Sequence, residues 1–359
     1  MNKHGDAGAT EVGVRDRAPV APVFAGATDR EASAPRVAVV IPSYRVRDHV
    51  MSVVEALPAA VWRIYVVDDA CPDGTADWLQ TRCVDPRVKV LRNAVNLGVG
   101  GAVMAGYRQA IADGADILVK MDGDGQMDAE ALPRLIGPLL RGEADYAKGN
   151  RFYDLAQISR MPRARIAGNA VLSFMTKISS GYWDIFDPTN GYTAIHARVV
   201  SMLPLGKISR RYFFETDMLF RLNIARAVVV DVPMDARYGA ETSNLRIGKV
   251  IFDFSLKHVR NTFKRLFYSY FLRDLSLASL ELLAGTVFVV TGFVLGVMFW
   301  VRSHYTGVPT TAGGVMLVAL QIIVGIQMLL GFLAYDIAAV PRRPLHRLLT
   351  DWRAGSREA

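Results

Sequence analysis

Ile117-Leu-Val-Lys-Met-Asp-Gly-Asp-Gly-Gln126 is the stretch from which the fold can be read. Its first half is an apolar run long enough for a strand and too short for a helix. Its second half places two carboxylates, one residue apart, just past the strand's end. Three earlier runs repeat the apolar half: Val37-Ala-Val-Val-Ile41, Ile64-Tyr-Val-Val67 and Val88-Lys-Val-Leu91. Helix-like stretches lie between them, at Asp48–Leu57, Thr75–Thr81 and Val99–Ala112. This alternation, from Arg36 to about Val232, predicts an α/β domain with a Rossmann-like, largely parallel sheet covered by helices on both faces. Ligands on such sheets sit at the carboxyl ends of the strands. Polar residues follow the strands there: Ser43-Tyr44, Asp68-Asp69 and Asp122-Gly-Asp124.

The 359 residues are 51% hydrophobic with a mean hydropathy of +0.20, high for a soluble enzyme, yet 21% are charged. Both figures hold only if apolar residues are concentrated in part of the chain. The surplus of 42 Lys and Arg over 34 Asp and Glu gives a net charge of +8. Nucleic acid, anionic lipid and phosphorylated substrates would all suit that charge, so its location decides. Two cysteines, Cys71 and Cys83, are too few for a disulfide framework or a four-thiolate zinc site and fit a reducing compartment. Residues 1–35 are rich in Ala, Gly, Pro and mixed charge without an apolar run, the composition of a disordered tail and not of a secretion signal.

After Gly248 the pattern changes. Ile247, Val250, Ile251 and Phe254, then Phe263, Leu266, Phe267, Tyr270 and Phe271, recur at helical spacing among Lys and Arg. An aromatic, basic amphipathic segment reads as a helix in a membrane interface; the alternative is a soluble helix packed on the α/β domain. Leu282–Trp300 and Ala312–Tyr335 then run without a charged side chain. Each approaches or exceeds the roughly 20 residues of a bilayer crossing, with a polar hairpin from Arg302 to Pro309 between them. Arg260, Lys264, Arg265 and Arg273 precede the pair, and Arg342, Arg343, Arg347 and Arg353 follow it. The positive-inside rule then predicts a two-span cell-membrane protein with both termini and the α/β domain in the cytoplasm. Basic residues clustered beside the spans favour membrane lipid as partner and leave no case for nucleic acid.

Three constellations carry chemistry. Asp122, Asp124 and Gln126 offer oxygens suited to a hard cation, Mg²⁺ or Mn²⁺, which in turn neutralises a diphosphate. An EF-hand also begins Asp-x-Asp, but its sixth position would be Met127 and its twelfth Pro133, so that reading fails. Asp68 and Asp69 can accept hydrogen bonds from a base or ribose, while Asp73-Gly-Thr75 reads as a turn and helix start. Asn96-Leu-Gly-Val-Gly-Gly-Ala102 is a glycine-rich helix entry, with Val103 where a dinucleotide fingerprint would have its third glycine. Close helix–sheet packing beside a nucleotide site suffices to explain these glycines.

In this combination and order the chain, over roughly Arg36 to Leu245, resembles family 2 glycosyltransferases of the GT-A fold. The branch is that of polyprenyl-phosphate glycosyltransferases related to dolichyl-phosphate mannose synthase. The resemblance implies that Pro42 and Tyr44, in Ile41-Pro-Ser-Tyr44, contact the nucleotide. In Val67-Asp-Asp-Ala-Cys-Pro-Asp-Gly-Thr75 it implies Asp68 and Asp69 on the donor, with Asp69 at the base. Gly98, Gly123 and Asn190 join the nucleotide-sugar contacts, and Asp122, Asp124 and Gln126 the metal. Lys148-Gly-Asn-Arg151 matches the family's Gly-x-Arg and makes Arg151 a catalytic candidate. Asp187-Pro-Thr-Asn-Gly191 resembles the stretch lining the sugar and acceptor pocket. Arg163, or Arg165 by spacing, falls where the family binds the acceptor phosphate, joined by Arg237 and Ser243. Asn244 departs from the lysine that usually follows. The Gln-x-x-Arg-Trp motif of processive synthases is absent from the sequence.

The implied activity is inverting transfer from a UDP- or GDP-linked sugar to a polyprenyl phosphate, by a metal-dependent enzyme that is a homo-oligomer. A phosphate acceptor is already anionic, so a strong base is unnecessary. A hydroxyl of a lipid-linked glycan would need one, for which Glu215 and Asp217 are candidates. Either carboxylate can equally be structural, holding the pocket or pairing with Arg210 or Arg211. A non-catalytic nucleotide-sugar-binding membrane subunit is the alternative of another class. The expected organisation is a tail over 1–35 and a GT-A domain over 36–245. Juxtamembrane helices over 246–280, a transmembrane hairpin over 281–336 and a basic cytoplasmic tail over 337–359 follow.

Overall fold

A computed structural model describes residues 34–153, 163–235 and 247–349, with 163–165 and 247–251 as backbone alone. The expected tail lies outside the described residues up to residue 33. Seven strands form one sheet: β1 (Val37–Ser43), β2 (Arg63–Asp68), β3 (Val88–Arg92), β4 (Ile117–Lys120), β5 (Tyr146–Asn150), β6 (Thr193–His196) and β7 (Val229–Pro233). Their spatial order is β3-β2-β1-β4-β6-β5-β7. The order proceeds from β1 to β2 and β3 on one side and to β4 on the other, so the β1–β4 border is a switch point, where a crevice forms.

Strand side chains alternate between two core layers. Ala38 and Val40 join Tyr65, Val67 and Leu118 beneath α3 (Val99–Ala112) and α6 (Phe214–Ala225). Val39 and Ile41 join Ile64, Val66 and Val119 against α1 (Arg47–Ala56), α2 (Thr75–Arg82) and α4 (Leu132–Leu140). Burial on both faces is why these strands read as continuous apolar runs. The sheet is mixed: β6 runs antiparallel to both β4 and β5. The cause is local. The chain returns from α5 (Arg163–Ser180) along the 187–191 segment, which ends beside Lys120 at the close of β4, and Thr193 pairs with Lys120. From there β6 can only run back.

Helix α7 (Ile247–Phe267) has its polarity inverted relative to a soluble helix. His258, Asn261 and Arg265 are buried, whereas Phe252, Leu256, Val259, Phe263 and Phe267 are exposed. The buried polar groups bond inward: His258 to Ser179 Oγ at 2.8 Å, Asn261 to Asp217 Oδ1 at 3.2 Å and Arg265 Nε to the Ile178 carbonyl at 3.1 Å. Burial pulls the His258 imidazole down to about 4. The segment therefore packs on the α/β domain through polar side chains and keeps its apolar stripe on the surface, where an interfacial helix needs it.

A π-helical turn at Tyr268–Leu272 leads into α8 (Leu277–Thr306) and α9 (Ala312–Ala338). Both are long and apolar enough to cross a membrane, and only 11% of each apolar window is buried. The pair is antiparallel, with Gly285 against Gly325, Gly292 against Ile322 and Gly296 against Val318. Arg302–Pro309, read as a hairpin, is helical as far as Thr306; the turn itself is residues 307–311. Asp336, near the end of α9, ties this hairpin to the rest. Its carboxylate takes Arg265 Nη1 at 2.6 Å, Tyr270 Oη at 2.5 Å and Trp183 Nε1 at 2.9 Å, all deeply or partly buried. Beyond α9 the chain returns to the α/β domain, where Asp145 accepts the Leu345 and His346 amides and the His346 ring.

Removing one member of a buried ion pair costs about 3–5 kcal/mol, whereas replacing both by apolar groups costs far less. Asp336→Ala should therefore lower the unfolding temperature of the detergent-solubilised protein markedly. Arg265→Met with Asp336→Leu should recover most of the loss by differential scanning fluorimetry. Equal losses in the two variants would exclude this account.

Candidate active site

A cavity of about 1270 Å³ opens at the carboxyl ends of β1, β2 and β4. Pro42 at the end of β1 and Tyr44 just beyond it line the cavity, with Asp69 after β2, Gly98 at the start of α3, and Asp122, Gly123 and Asp124 after β4. Thr189, Gly191, Arg211, Tyr212 and Glu215 close the opposite side. The remaining wall is apolar: Ala167, Val171, Leu172 and Met175 of α5, with Phe254 of α7.

Lys120 organises the floor. Its side chain is 2% exposed, and its ammonium lies 2.9 Å from Asp122 Oδ1 and 3.2 Å from Glu215 Oε1. Burial alone would lower its pKa, but the charges of Asp122 and Glu215 outweigh burial and raise it above the ordinary lysine value. A Cβ at Gly191 would lie 2.2 Å from that ammonium and 2.8 Å from Asp122 Oδ2, so any side chain there would displace the Lys120–Asp122 pair. A second buried lysine, Lys148, donates to the Asn190 carbonyl, and burial pulls it down to about 8.

The aspartates after β2 divide their work. Asp68 is not among the lining residues: its carboxylate accepts the Cys71 amide at 2.7 Å and the Ala76 amide at 2.9 Å, capping α2. Asp69 accepts Asn93 Nδ2, the Leu97 amide and the Gly98 amide, at 2.7, 2.9 and 2.7 Å. It thereby holds the glycine-rich entry of α3 against the cavity. Gly98 has φ +81°, and a Cβ there would meet the Arg210 carbonyl at 2.6 Å.

Arg151 clasps Asp187, with Nε to Oδ2 at 2.8 Å and Nη2 to Oδ1 at 3.1 Å, and also reaches Thr189 Oγ1 at 3.1 Å. Those bonds and the guanidinium charge outweigh burial and hold the Asp187 carboxyl below its usual range. Nearby Asp231 is pushed up to about 6 by burial. Arg151 thus braces the segment that carries Thr189 and Gly191.

Several expected residues fall elsewhere. Asp217 lies outside the cavity lining; Oδ2 accepts the Ser209 amide at 2.8 Å and pairs with Arg221, and Oδ1 accepts Asn261. Neither Glu215 nor Asp217 pairs with Arg210 or Arg211; Lys120 and Arg221 take those places. Asn190 is buried, its Oδ1 accepting the Tyr192 amide at 3.0 Å. Gln126 also lies outside the lining and donates its amide to Asp124 Oδ1 at 3.0 Å. Arg163 and Arg165 open α5, less than two turns before the cavity-lining Gly168, and are described as backbone only. Arg237 and Ser243 lie outside the described residues.

Among the described residues no three His, Cys, Asp or Glu gather into a cage. Asp122 and Asp124 nevertheless suit a cation held by one or two carboxylates, with substrate phosphates completing its shell. Lys120, Arg211, Tyr212 and the apolar α5 wall were not anticipated as site elements. Lys120 carried one available signal: a lysine inside an apolar strand must find a partner.

The glycosyl transferase family 2 signature matches residues 38–203. Undecaprenyl-phosphate mannosyltransferase of Micrococcus luteus is 35% identical over 210 residues, 55% of this chain and 82% of that protein. The chain belongs to glycosyltransferase family 2. Its seven-stranded mixed sheet with flanking helices is GT-A-like, and it is a glycosyltransferase. Dolichol-phosphate mannosyltransferase of Pyrococcus furiosus is 29% identical over 235 residues, 64% of each chain. UDP-N-acetylglucosamine–dolichyl-phosphate N-acetylglucosaminyltransferase of Methanococcus voltae is 26% identical over 231 residues, 59% of this chain and 92% of that one.

Lys120→Met leaves Asp122 and Glu215 facing each other without a counter-charge and should destabilise the fold by about 3 kcal/mol. Adding Glu215→Gln removes the repulsion and should recover more than half of the loss. Thermal unfolding of the two variants measures this, and strict additivity would refute the three-charge arrangement.

Proposed function

We propose that this glycosyltransferase moves a sugar from a UDP- or GDP-linked donor to a polyprenyl phosphate at the membrane surface, inverting the anomeric centre. One observation carries the reading: a single cavity is acidic at the strand ends and apolar along α5 and α7, and α7 itself exposes an aromatic stripe beside the two apolar helices. A nucleotide diphosphate suits the first half and a lipid headgroup the second. All three relatives are named as transferases of a sugar to undecaprenyl or dolichyl phosphate.

The chain's own residues divide the chemistry. Pro42, Tyr44 and the loop held by Asp69 receive the nucleotide, with Gly98 and Gly123 allowing close approach. A Mg²⁺ or Mn²⁺ ion at Asp122 and Asp124 would supply positive charge to the leaving diphosphate. Arg151 acts through Asp187 and Thr189 to position the sugar pocket. Arg163, Arg165, Arg237 and Ser243 are the proposed acceptor-phosphate contacts. Glu215 is engaged by the Lys120 ammonium at 3.2 Å as its counter-ion, and an anionic phosphate nucleophile, unlike a hydroxyl, needs no carboxylate base.

Purified protein with radiolabelled nucleotide sugars should label polyprenyl phosphate and not a lipid-linked saccharide. Asp122→Asn and Asp124→Asn should each lower turnover at least about 100-fold, as expected when several kcal/mol of charge stabilisation is lost. EDTA should do the same. Wild-type rates in both variants and in EDTA would remove the metal from this scheme. Protein that binds no nucleotide in Mn²⁺ would point to a non-catalytic subunit.

The same reading places the α/β domain and both termini in the cytoplasm, with residues 307–311 across the membrane, because the basic residues flank one end of the hairpin. In a Cys71→Ser, Cys83→Ser background, an impermeant maleimide on intact cells should label Ser303→Cys and not Arg343→Cys. Labelling of Arg343→Cys overturns the topology.

A further inference from the structure

A second cavity, of about 370 Å³, lies where the apolar hairpin meets the α/β domain, away from the donor cavity. Arg226, Arg265 and Arg273 line it, with Tyr270, Asp274 and Asp336. Arg265 and Asp336 neutralise each other at 2.6 Å. Arg226 and Arg273 make no ion pair among the described residues, leaving two guanidiniums against the single carboxylate of Asp274. Burial, and then the charge of Arg226, hold the Arg273 pKa below the usual arginine value.

The backbone adds a second, independent observation. Arg226 ends α6 at φ +64°, ψ +32°, a left-handed position that helices ordinarily fill with glycine. The position carries a long cationic side chain in a backbone conformation that glycine adopts at less cost. Helix capping explains part of it: Arg226 Nη1 donates to the Ala339 carbonyl at 2.9 Å, and Arg273 donates to the Ile224 carbonyl. One carbonyl each leaves most of the N–H donors of both planar forks available to a multidentate anion.

The cavity's level in the molecule says how that anion arrives. Arg273 and Asp274 directly precede α8, and Ala338 and Ala339 end α9, so the cavity sits at the end of the hairpin that meets the α/β domain. Leu272, Leu275, Leu277 and Ile337 beside it are exposed. We propose that this cavity binds the phosphate of an anionic phospholipid, with Arg226 and Arg273 on the headgroup and the acyl chains along those exposed residues. The site rests on the membrane placement of the hairpin and not on the identity of the donor or acceptor.

The test is thermal unfolding of the full-length protein in a neutral detergent with phosphatidylglycerol, phosphatidylcholine or inorganic phosphate. Phosphatidylglycerol should raise the unfolding temperature by about 3 °C, and the other two by less than about 1 °C. Arg226→Gln with Arg273→Gln should reduce the phosphatidylglycerol shift to the phosphatidylcholine level. Arg342→Gln with Arg343→Gln, which removes the same charge from two positions outside the cavity lining, should keep it. A shift that survives in the Arg226 and Arg273 pair, or is lost equally in both pairs, overturns the site. Inorganic phosphate matching phosphatidylglycerol overturns the lipid assignment. Should the glutamine pair fail to fold, Arg226→Lys with Arg273→Lys keeps both charges and should keep at least half of the shift; a folded lysine pair with none overturns the proposal. Binding of a nucleotide sugar, followed in the same variants, should be unchanged, which separates this site from the donor cavity.

Discussion

One buried ammonium joins the parts of the active site. Lys120 comes from the last residue of β4, Asp122 from the loop beyond it and Glu215 from the first turn of α6. Gly191 packs against the same group, bringing in the segment that precedes β6. A charged amine inside a protein is tolerated only when paired, so these elements must converge or the fold carries an uncompensated charge. The acidic half of the cavity is in this sense built around Lys120. Of the two aspartates of the Asp-x-Asp pair, Asp122 pairs with Lys120, and Asp124 lines the cavity and accepts the Gln126 backbone amide.

A second constraint sets how the catalytic domain meets its surroundings. Helix α7 buries His258, Asn261 and Arg265 and exposes its aromatic residues. In water that arrangement would be unfavourable, since apolar area is exposed while polar groups lose their hydration. Each buried polar group recovers a specific partner, and the exposed stripe becomes favourable once it lies in lipid. Asp336 extends the same logic to the hairpin, binding a helix end of the apolar pair to α7, to the π-helical turn and to Trp183. The apolar wall of the cavity and the apolar surface of the molecule are thus two sides of one helical layer formed by α5 and α7.

Much of this was legible in the amino-acid order. Apolar runs of strand length, alternating with helical stretches, fix the α/β class because periodicity is a local property. The first four strands fall where those runs lie. The carboxylate pair at Asp122 and Asp124, the proline and tyrosine at the end of β1 and the glycine-rich entry at Gly98 all face one cavity, because residues at strand ends share the carboxyl edge of a parallel sheet. Two uncharged runs sufficed for the two apolar helices, whose ends extend a few residues further because charged and polar residues at a membrane surface remain helical.

Other features depend on partners distant in sequence, and local patterns cannot report them. Asp68 and Asp69 are adjacent and chemically identical, yet one caps a helix and the other orders a loop 28 residues on, according to which amides the fold brings near. Glu215 meets a lysine 95 residues away, while Asp217, two positions on, bonds Asn261. The direction of β6 followed from where the 187–191 segment re-enters the sheet, and the inverted face of α7 from the polar groups waiting on α5 and α6. Sequence by itself determined the class of the fold, the chemical character of the strand-end site and the two apolar helices, all properties of nearest neighbours. Tertiary structure alone decided which carboxylates reach the cavity and which hold the scaffold, because that choice is made by contacts closed across the whole chain.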